Sequence, residues 1–143
     1  SIEMGAHEAL CPSDIAKSLN ADTTIEVSGN PQAIADAIQN TRPNGKVILA
    51  SWYGTRSAEL SLGTHFHRGR IQLISSQVST IKPSLVGTWN KERRLEYAIN
   101  LLTQLPTNRI DTQEIPFGES ETRYPLVLES NSGLTHTYFN YGE

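Results

Sequence analysis

Residues 23–54, TTIEVSGNPQAIADAIQNTRPNGKVILASWYG, decide the fold of this chain. Thr23–Ser28 is largely apolar and rich in β-branched residues, as expected of a strand buried on both faces, and Lys46–Ser51 has the same character. Asn30-Pro31 is a helix-start signal, and Pro43-Asn44-Gly45 predicts the turn that ends the helix. Four apolar residues form one helical stripe that would face a sheet: Ala33, Ile34, Ala37 and Ile38. The stretch therefore predicts a strand–helix–strand unit.

The segments around this unit continue the alternation of strands and helices. Met4–Leu10 could be a helix end, a Gly turn and a brief strand, and Pro12-Ser13-Asp14 opens a short helix. Ile71–Ser75 predicts a third strand of the unit, and Lys91–Leu105 is the strongest helix pattern of the chain. Strands that alternate with helices predict a parallel sheet and an α/β fold.

The pattern changes after Pro106. Ile110–Phe117 predicts a strand with a proline near its end, which suits an edge strand. Glu119–Leu128 predicts a helix that Pro125 would kink or restart, because proline cannot donate to the helical hydrogen-bond ladder. Leu134–Tyr141 alternates polar and apolar residues, as an antiparallel or edge strand would.

Composition excludes several classes of function. The 143 residues carry a formal net charge of −3, without the basic patch of a nucleic-acid-binding protein or of a membrane-surface protein. The apolar stretches are far shorter than a membrane span, and Ser1–Leu10 lacks the features of a secretory signal. The single cysteine, Cys11, rules out an internal disulfide and a cysteine-rich zinc site. We expect a cytoplasmic protein, although a secreted form whose signal has been removed would look the same.

Seven segments, in this order, carry a resemblance to a known family: MGAHEAL, TTIEVSGNPQAIADAI, RPNGKVILASWYG, FHRGRIQLISSQ, KERRLEYAINLL, EIPFGESETRYPLVLES and a final strand ending in FNYG. Their order is that of the C-terminal portion of a zinc-type alcohol dehydrogenase-like medium-chain dehydrogenase/reductase. The resemblance runs nearly end to end. The separate motifs are only moderately specific, and their joint order is what makes the likeness informative.

The resemblance implies a partial Rossmann-like sheet. The family arranges its strands in the order 3-2-1-4-5-6, and Glu8–Leu10, Thr23–Ser28, Lys46–Ser51 and Ile71–Ser75 would be strands 3, 4, 5 and 6. Strands 1 and 2 have no counterpart here, and neither has the Gly-rich phosphate loop between them. Residues 1–105 would then be the back half of a dinucleotide-binding domain. Residues 106–143 would be a C-terminal tail that pairs with a catalytic domain absent from this chain.

Open α/β sheets bind ligands at the carboxyl ends of their strands. By the resemblance, the turn at Val27–Asn30 lies near the adenine ribose. The turn at Leu49–Trp52 contacts the nicotinamide, and the backbone at Ser75–Gln77 hydrogen-bonds its carboxamide. A purely structural alternative is that these small residues only permit tight turns. The candidate cofactor-binding residues are Val27, Ser28, Gly29, Asn30, Leu49, Ala50, Ser51, Trp52, Ser75, Ser76 and Gln77.

The resemblance implies an NAD- or NADP-dependent oxidoreductase that transfers hydride between nicotinamide and an alcohol or polyol. No residue of the chain is assigned a catalytic role, and the chain alone should be inactive. Zinc, where such an enzyme uses it, would be bound by residues outside this segment. Two alternatives remain, a zinc-free quinone reductase-like enzyme and a truncated, non-enzymatic subunit or interaction module. The strand edge Ile71–Gln77 is a candidate contact between copies in a homo-oligomer.

Three other features have competing interpretations. His65 and His67 are two residues apart, but two imidazoles do not complete a zinc site, so we expect structural or surface histidines. Trp52 and Tyr53 are equally compatible with a cofactor-pocket wall and with simple loop packing. Cys11 has no evident neighbouring base, which argues against a nucleophile.

Overall fold

A computed structural model of the chain describes residues 2–15, 19–110, 112–129 and 136–142. The chain divides into two compact units, one formed by Leu10–Lys91 and the other by Ser1–Ala9 together with Glu92–Glu143. The assignment of residues 1–105 and 106–143 to two functional domains stays a prediction.

The Leu10–Lys91 unit contains three strands and their helical connections. Strand β1 spans Ala21–Glu26, helix α1 spans Ala33–Asn40, and strand β2 spans Thr41–Leu49. A π-helical turn, Leu62–Phe66, leads into the short helix α2 at His67–Gly69, and strand β3 follows at Gln72–Ser75. The strands are parallel in the order β1-β2-β3, which confirms the predicted partial Rossmann-like arrangement.

The core of this unit lies between α1 and one face of the sheet. Ile34, Ala37 and Ile38 of α1 are buried together with Val47 of β2 and Ile71 before β3. The predicted apolar stripe of α1 is therefore confirmed for these three residues, while its fourth member, Ala33, is half-buried. The row of paired residues next to the one that contains Val47 consists of three isoleucines, one from each strand: Ile25, Ile48 and Ile74.

The connection between α1 and β2 is tighter than the sequence predicts. The helix ends at Asn40, before the proline, and the strand begins at once with Thr41. Ala21 pairs with Thr41 and Thr23 with Lys46, so the Pro43-Asn44-Gly45 turn bulges out of the strand rather than preceding it. Asn44 has a φ of 62°, a conformation that asparagine tolerates better than most residues. The turn is where the sequence places it, but the helix boundary is earlier.

The hydroxyl of Thr41 joins the helix to the sheet. The residue is fully buried, its Oγ1 donates to the Ala37 carbonyl at 2.7 Å, and it lies 2.7 Å from Oγ1 of Thr24. These bonds satisfy a polar group that would otherwise be costly to bury.

Replacing Thr41 by valine is expected to lower the free energy of unfolding by about 1–2 kcal/mol. Valine keeps the shape but removes both hydrogen bonds and leaves the part-buried Thr24 hydroxyl short of a partner. Urea unfolding measures the loss. Thr23→Val, the same change at an exposed position of β1, is the control and should change stability little. Equal effects of the two substitutions would contradict this role of Thr41.

The second unit contains a smaller βαβ arrangement. Helix α3 spans Lys91–Leu102, three residues shorter than predicted, and none of its residues is buried. Strand β4 spans Thr112–Pro116, helix α4 spans Ser120–Glu129 with Pro125 inside it, and strand β5 spans His136–Asn140. β4 and β5 pair in parallel, so the antiparallel option for the last strand is wrong. The intervening helix makes the parallel crossover possible, because a tight hairpin could not.

Two predictions near the start of the chain have different outcomes. Glu8–Leu10 has no strand pairing, so the predicted short strand there is wrong. A strand needs a ladder partner for its backbone groups, and the described residues give this segment none. The helix predicted after Pro12 is described only as a 3-10 turn at Pro12–Asp14, since residues 16–18 lie outside the described residues. No helix within the described part of the chain is long and apolar enough to cross a membrane.

Candidate functional site

Glu26, Leu49 and Ser75 end the three parallel strands and stand opposite one another in a single cross-strand row. The segments that follow them leave the sheet on the same side. We call the residues Glu26–Asn30, Leu49–Tyr53 and Ser75–Gln77 the carboxyl edge. All of the candidate cofactor-binding residues lie in it, which is the position where open α/β sheets hold their ligands.

The first two segments of the carboxyl edge are bonded together. The Gly29 amide donates to Oγ of Ser51 at 2.9 Å, and the Ala50 amide donates to the Glu26 carbonyl at 3.0 Å. Gly29 has a φ of 71°, a left-handed conformation that suits glycine. Asn30 begins the turn into α1, since its Oδ1 accepts the Gln32 amide at 3.1 Å.

The third segment is held to the second through the backbone. The Ser76 amide donates to the Leu49 carbonyl at 2.8 Å, which extends the ladder one residue past β3. Gln77 turns its Oε1 onto the Ser79 amide at 2.7 Å. Ser75, Ser76 and Gln77 are exposed, so this segment has polar groups that face solvent.

Two apolar side chains of the carboxyl edge are directed into water. Val27 is 73% exposed, although it directly follows the buried Glu26, and Trp52 is 84% exposed. Trp52 thus packs little against the described residues, whereas Tyr53 is half-buried and contacts the core cluster. The two aromatic residues, for which the sequence offers the same pair of interpretations, have different environments.

Glu26 is the residue of this edge that the sequence analysis missed. It is only 4% exposed, and Oε1 accepts both the amide of Ser28 at 2.6 Å and its hydroxyl at 2.5 Å. Oε2 accepts the hydroxyl of Tyr53. Burial disfavours the charge, but the hydrogen bonds from Ser28, Tyr53 and Ser51 outweigh it and lower the pKa of Glu26 to about 2. A glutamate at the end of a predicted strand, followed directly by Val-Ser-Gly-Asn, is the sequence signal that could have identified it.

Tyr53 responds in the opposite sense. Burial and the neighbouring Glu26 carboxylate raise the pKa of its hydroxyl above the ordinary value. Tyr53 therefore stays protonated and remains a hydrogen-bond donor over the whole physiological pH range.

The paired histidines have a structural rather than a ligating arrangement. His65 lies in the π-helical turn, and its Nε2 is 2.8 Å from the Thr41 carbonyl, so it ties this turn to the start of β2. His67 is exposed at the beginning of α2. Across the described ranges, no group of three or more His, Cys, Asp or Glu side chains is placed to hold a metal ion.

A pocket of about 300 Å³ lies at the end of the two-stranded sheet. Its one carboxylate is Glu114, which accepts hydrogen bonds from Asn140 Nδ2 at 2.5 Å and Tyr138 Oη at 2.8 Å. These two bonds lower the pKa of Glu114 and leave both of its oxygens already engaged. The rings of Phe117 and Tyr141 stack on each other at 4.3 Å, so neither presents both of its faces to a ligand.

Comparison with known proteins places this geometry in context. No protein-family profile matches the chain, and no curated protein sequence matches it. Solved structures do. Glucose dehydrogenase of Haloferax mediterranei, in complex with NADP, Zn and gluconolactone, matches 87% of this chain with a TM-score of 0.61 and 20% sequence identity. L-idonate 5-dehydrogenase of Escherichia coli matches 94% of it with a TM-score of 0.61 and 16% identity.

The chain spans about a third of the length of these dehydrogenases, namely 32% of the glucose enzyme and 35% of the idonate enzyme. At such identities the likeness is one of fold. The chain thus has a partial Rossmann-like α/β fold, similar to part of these two dehydrogenase structures.

Proposed function

We propose that this chain is the C-terminal part of an NAD(P)-dependent medium-chain oxidoreductase. The intact enzyme would transfer hydride between nicotinamide and an alcohol or polyol, and the 143 residues alone would be inactive. The observation that carries the proposal is the carboxyl edge, where three segments that contain polar and aromatic residues follow the ends of neighbouring parallel strands. The likeness in fold to two dehydrogenases supports the same reading.

In this proposal the bound nicotinamide cofactor supplies the hydride chemistry, and the chain binds and orients it. Val27–Asn30 would contact the adenine ribose. Leu49–Trp52 would contact the nicotinamide, and Ser75–Gln77 would hydrogen-bond its carboxamide. The cofactor would be NAD or NADP, because the residue that separates them belongs to a strand absent from this chain.

The described residues do not fit a zinc ion, since no suitable group of ligands occurs among them. In this proposal the described residues take no part in a zinc-dependent step, and any zinc would be bound elsewhere in the intact enzyme. A cytoplasmic location and a homo-oligomer formed through the β3 edge, Ile71–Gln77, complete the proposal. The proposed function involves neither a nucleic-acid partner nor a membrane partner.

The proposal is tested first by the intact mass of the polypeptide as its source produces it. A much larger mass would support the enzyme, and alcohols and polyols should then be oxidised with NAD⁺ or NADP⁺. Reduction of quinones without bound zinc would favour the zinc-free alternative instead. A mass equal to this chain, with neither activity, would favour the subunit or interaction module.

Cofactor binding should be visible through Trp52. The indole is 84% exposed in the segment assigned to the nicotinamide, so bound NADH or NADPH should accept its excitation energy. Trp52→Phe is expected to remove most of the energy transfer contributed by this chain. Trp89→Phe, the same change at the other tryptophan of the chain, should preserve it. Equal transfer in both variants would contradict the placement of the nicotinamide.

A further inference from the structure

The buried carboxylate of Glu26 is held by uncharged donors. Ser28 and Tyr53 occupy its two oxygens, and Ser51 adds a further hydroxyl interaction. The groups that act on it are Ser28, Tyr53 and Ser51, none of which carries a positive charge. A buried charge without a counter-ion is costly unless several hydrogen bonds stabilise it. The surrounding donors therefore make an ionised carboxylate a structural requirement at this point.

The same donors belong to the segments that form the carboxyl edge. The Ser28 hydroxyl, which donates to Glu26, also accepts the Asn30 amide at 3.1 Å. Ser51 accepts the Gly29 amide at 2.9 Å. One carboxylate thus links the turn that follows β1 to the segment that follows β2. No neutral side chain could accept from all of these donors at once, because an amide group has only one accepting atom.

We propose that Glu26 is the positioning residue of the cofactor site, fixing the Ser28–Asn30 turn and the Ser51–Tyr53 segment in the arrangement that a nicotinamide cofactor requires. The inference rests on the proposed function, because it assigns the cofactor to this edge. Glu26 acts through Ser28, Ser51 and Tyr53, and its own oxygens are already engaged. A site that is preorganised in this way binds its ligand without first ordering two separate loops.

The experiment compares Glu26→Gln with Glu114→Gln in the purified protein at the length its source makes. Glutamine is nearly isosteric but turns an amide donor toward the Ser28 or Tyr53 donors. Glu114 is a matched control because its carboxylate also accepts two side-chain hydrogen bonds, in the other unit. The dissociation constants of NADH and NADPH and the amide hydrogen exchange of Ser28, Gly29 and Asn30 are measured for each variant.

We expect Glu26→Gln to weaken cofactor binding by about 10-fold to 100-fold, the cost of small misplacements in preorganised sites. Exchange at the three amides should accelerate by a similar factor, whereas Glu114→Gln should alter neither quantity. In a turnover assay the loss should appear in KM for the cofactor rather than in kcat. If Glu26→Gln does not fold, Tyr53→Phe replaces it. This variant removes the donor to Oε2 of Glu26, keeps the charge and changes no residue assigned to the cofactor, and we expect a smaller loss of affinity in the same direction.

Two results would overturn the inference. Unchanged cofactor affinity in a folded Glu26→Gln or Tyr53→Phe protein would reduce Glu26 to a purely structural role, even with faster amide exchange. Unchanged exchange would show that the carboxylate does not fix the turn. Failure of the proposed function is separable from both, because the unmodified protein would then bind neither NADH nor NADPH, and the inference would fall with it.

Discussion

Replacing Gly45 by alanine is expected to destabilise the Leu10–Lys91 unit by about 3 kcal/mol, the upper end of the usual cost of overpacking. A Cβ at this position would lie 2.5 Å from Cγ2 of Thr41, 2.8 Å from the Arg42 carbonyl oxygen and 3.0 Å from the Asp22 carbonyl oxygen. Two of these neighbours are backbone atoms, and Thr41 is fully buried with its hydroxyl bonded on two sides. A shift of Thr41 or Arg42 would disturb the connection between α1 and β2, and a shift of the Asp22 carbonyl would disturb β1.

Two control substitutions separate crowding from other effects of glycine replacement. Gly87→Ala adds a Cβ into open space and should change stability by less than about 1 kcal/mol. Gly29→Ala also meets no neighbour, but its φ of 71° should cost about 1–2 kcal/mol in backbone strain. Urea unfolding of the three variants should therefore rank Gly45 as the most damaging. A Gly45→Ala variant as stable as Gly87→Ala would contradict the crowded turn.

Much of this unit could be predicted from local sequence patterns. The stripe of α1 depends on residues near one another in the chain and is found where expected, whereas the Pro-Asn-Gly turn occurs at the predicted residues but as a bulge within β2 and not at the end of the helix. The parallel order of the strands follows from the alternation of strand and helix. The helix end at Asn40 was missed because the buried Thr41 leaves the helix for contacts with Thr24, a partner in a different strand.

The candidate site depends even more on contacts between residues that are distant in the sequence, which local patterns do not predict. The carboxyl edge could be located from sequence, because parallel strands direct their carboxyl ends to one side. The burial of Glu26 could not, since Ser51 and Tyr53 follow it by 25 or more positions and approach only after β2 pairs with β1. The missing strand at Glu8–Leu10 is the converse case. Its sequence permits a strand, but pairing requires neighbours that the described residues do not provide.

Glu26 is expected to make the protein sensitive to acid. Its contribution to the free energy of unfolding should fall by roughly 3 kcal/mol as the pH falls from about 4.5 to about 2. Burial alone would raise the pKa of this carboxyl group, but the hydrogen bonds from Ser28, Tyr53 and Ser51 lower it from 4.5 to about 2 in the folded protein. The folded state therefore binds the proton less readily than the unfolded state. The stabilisation is fully present above pH 4.5 and disappears as the pH falls through the folded-state pKa.

The comparison that isolates this contribution is the difference in unfolding free energy between the unmodified protein and Glu26→Gln, measured from pH 7 to pH 2. Other carboxylates titrate in both proteins and cancel in the difference. The stability gap should be large at pH 7 and close toward pH 2, because the protonated glutamate has lost the charge that the surrounding donors stabilise. If the glutamine variant does not fold, the carboxyl resonance of Glu26 in the unmodified protein reports the same quantity and should show an ionised group at pH 3. A gap that stays constant with pH, or a resonance that titrates near 4.5, would mean that the donors around Glu26 do not favour its charge, and the physical basis for its positioning role would be lost.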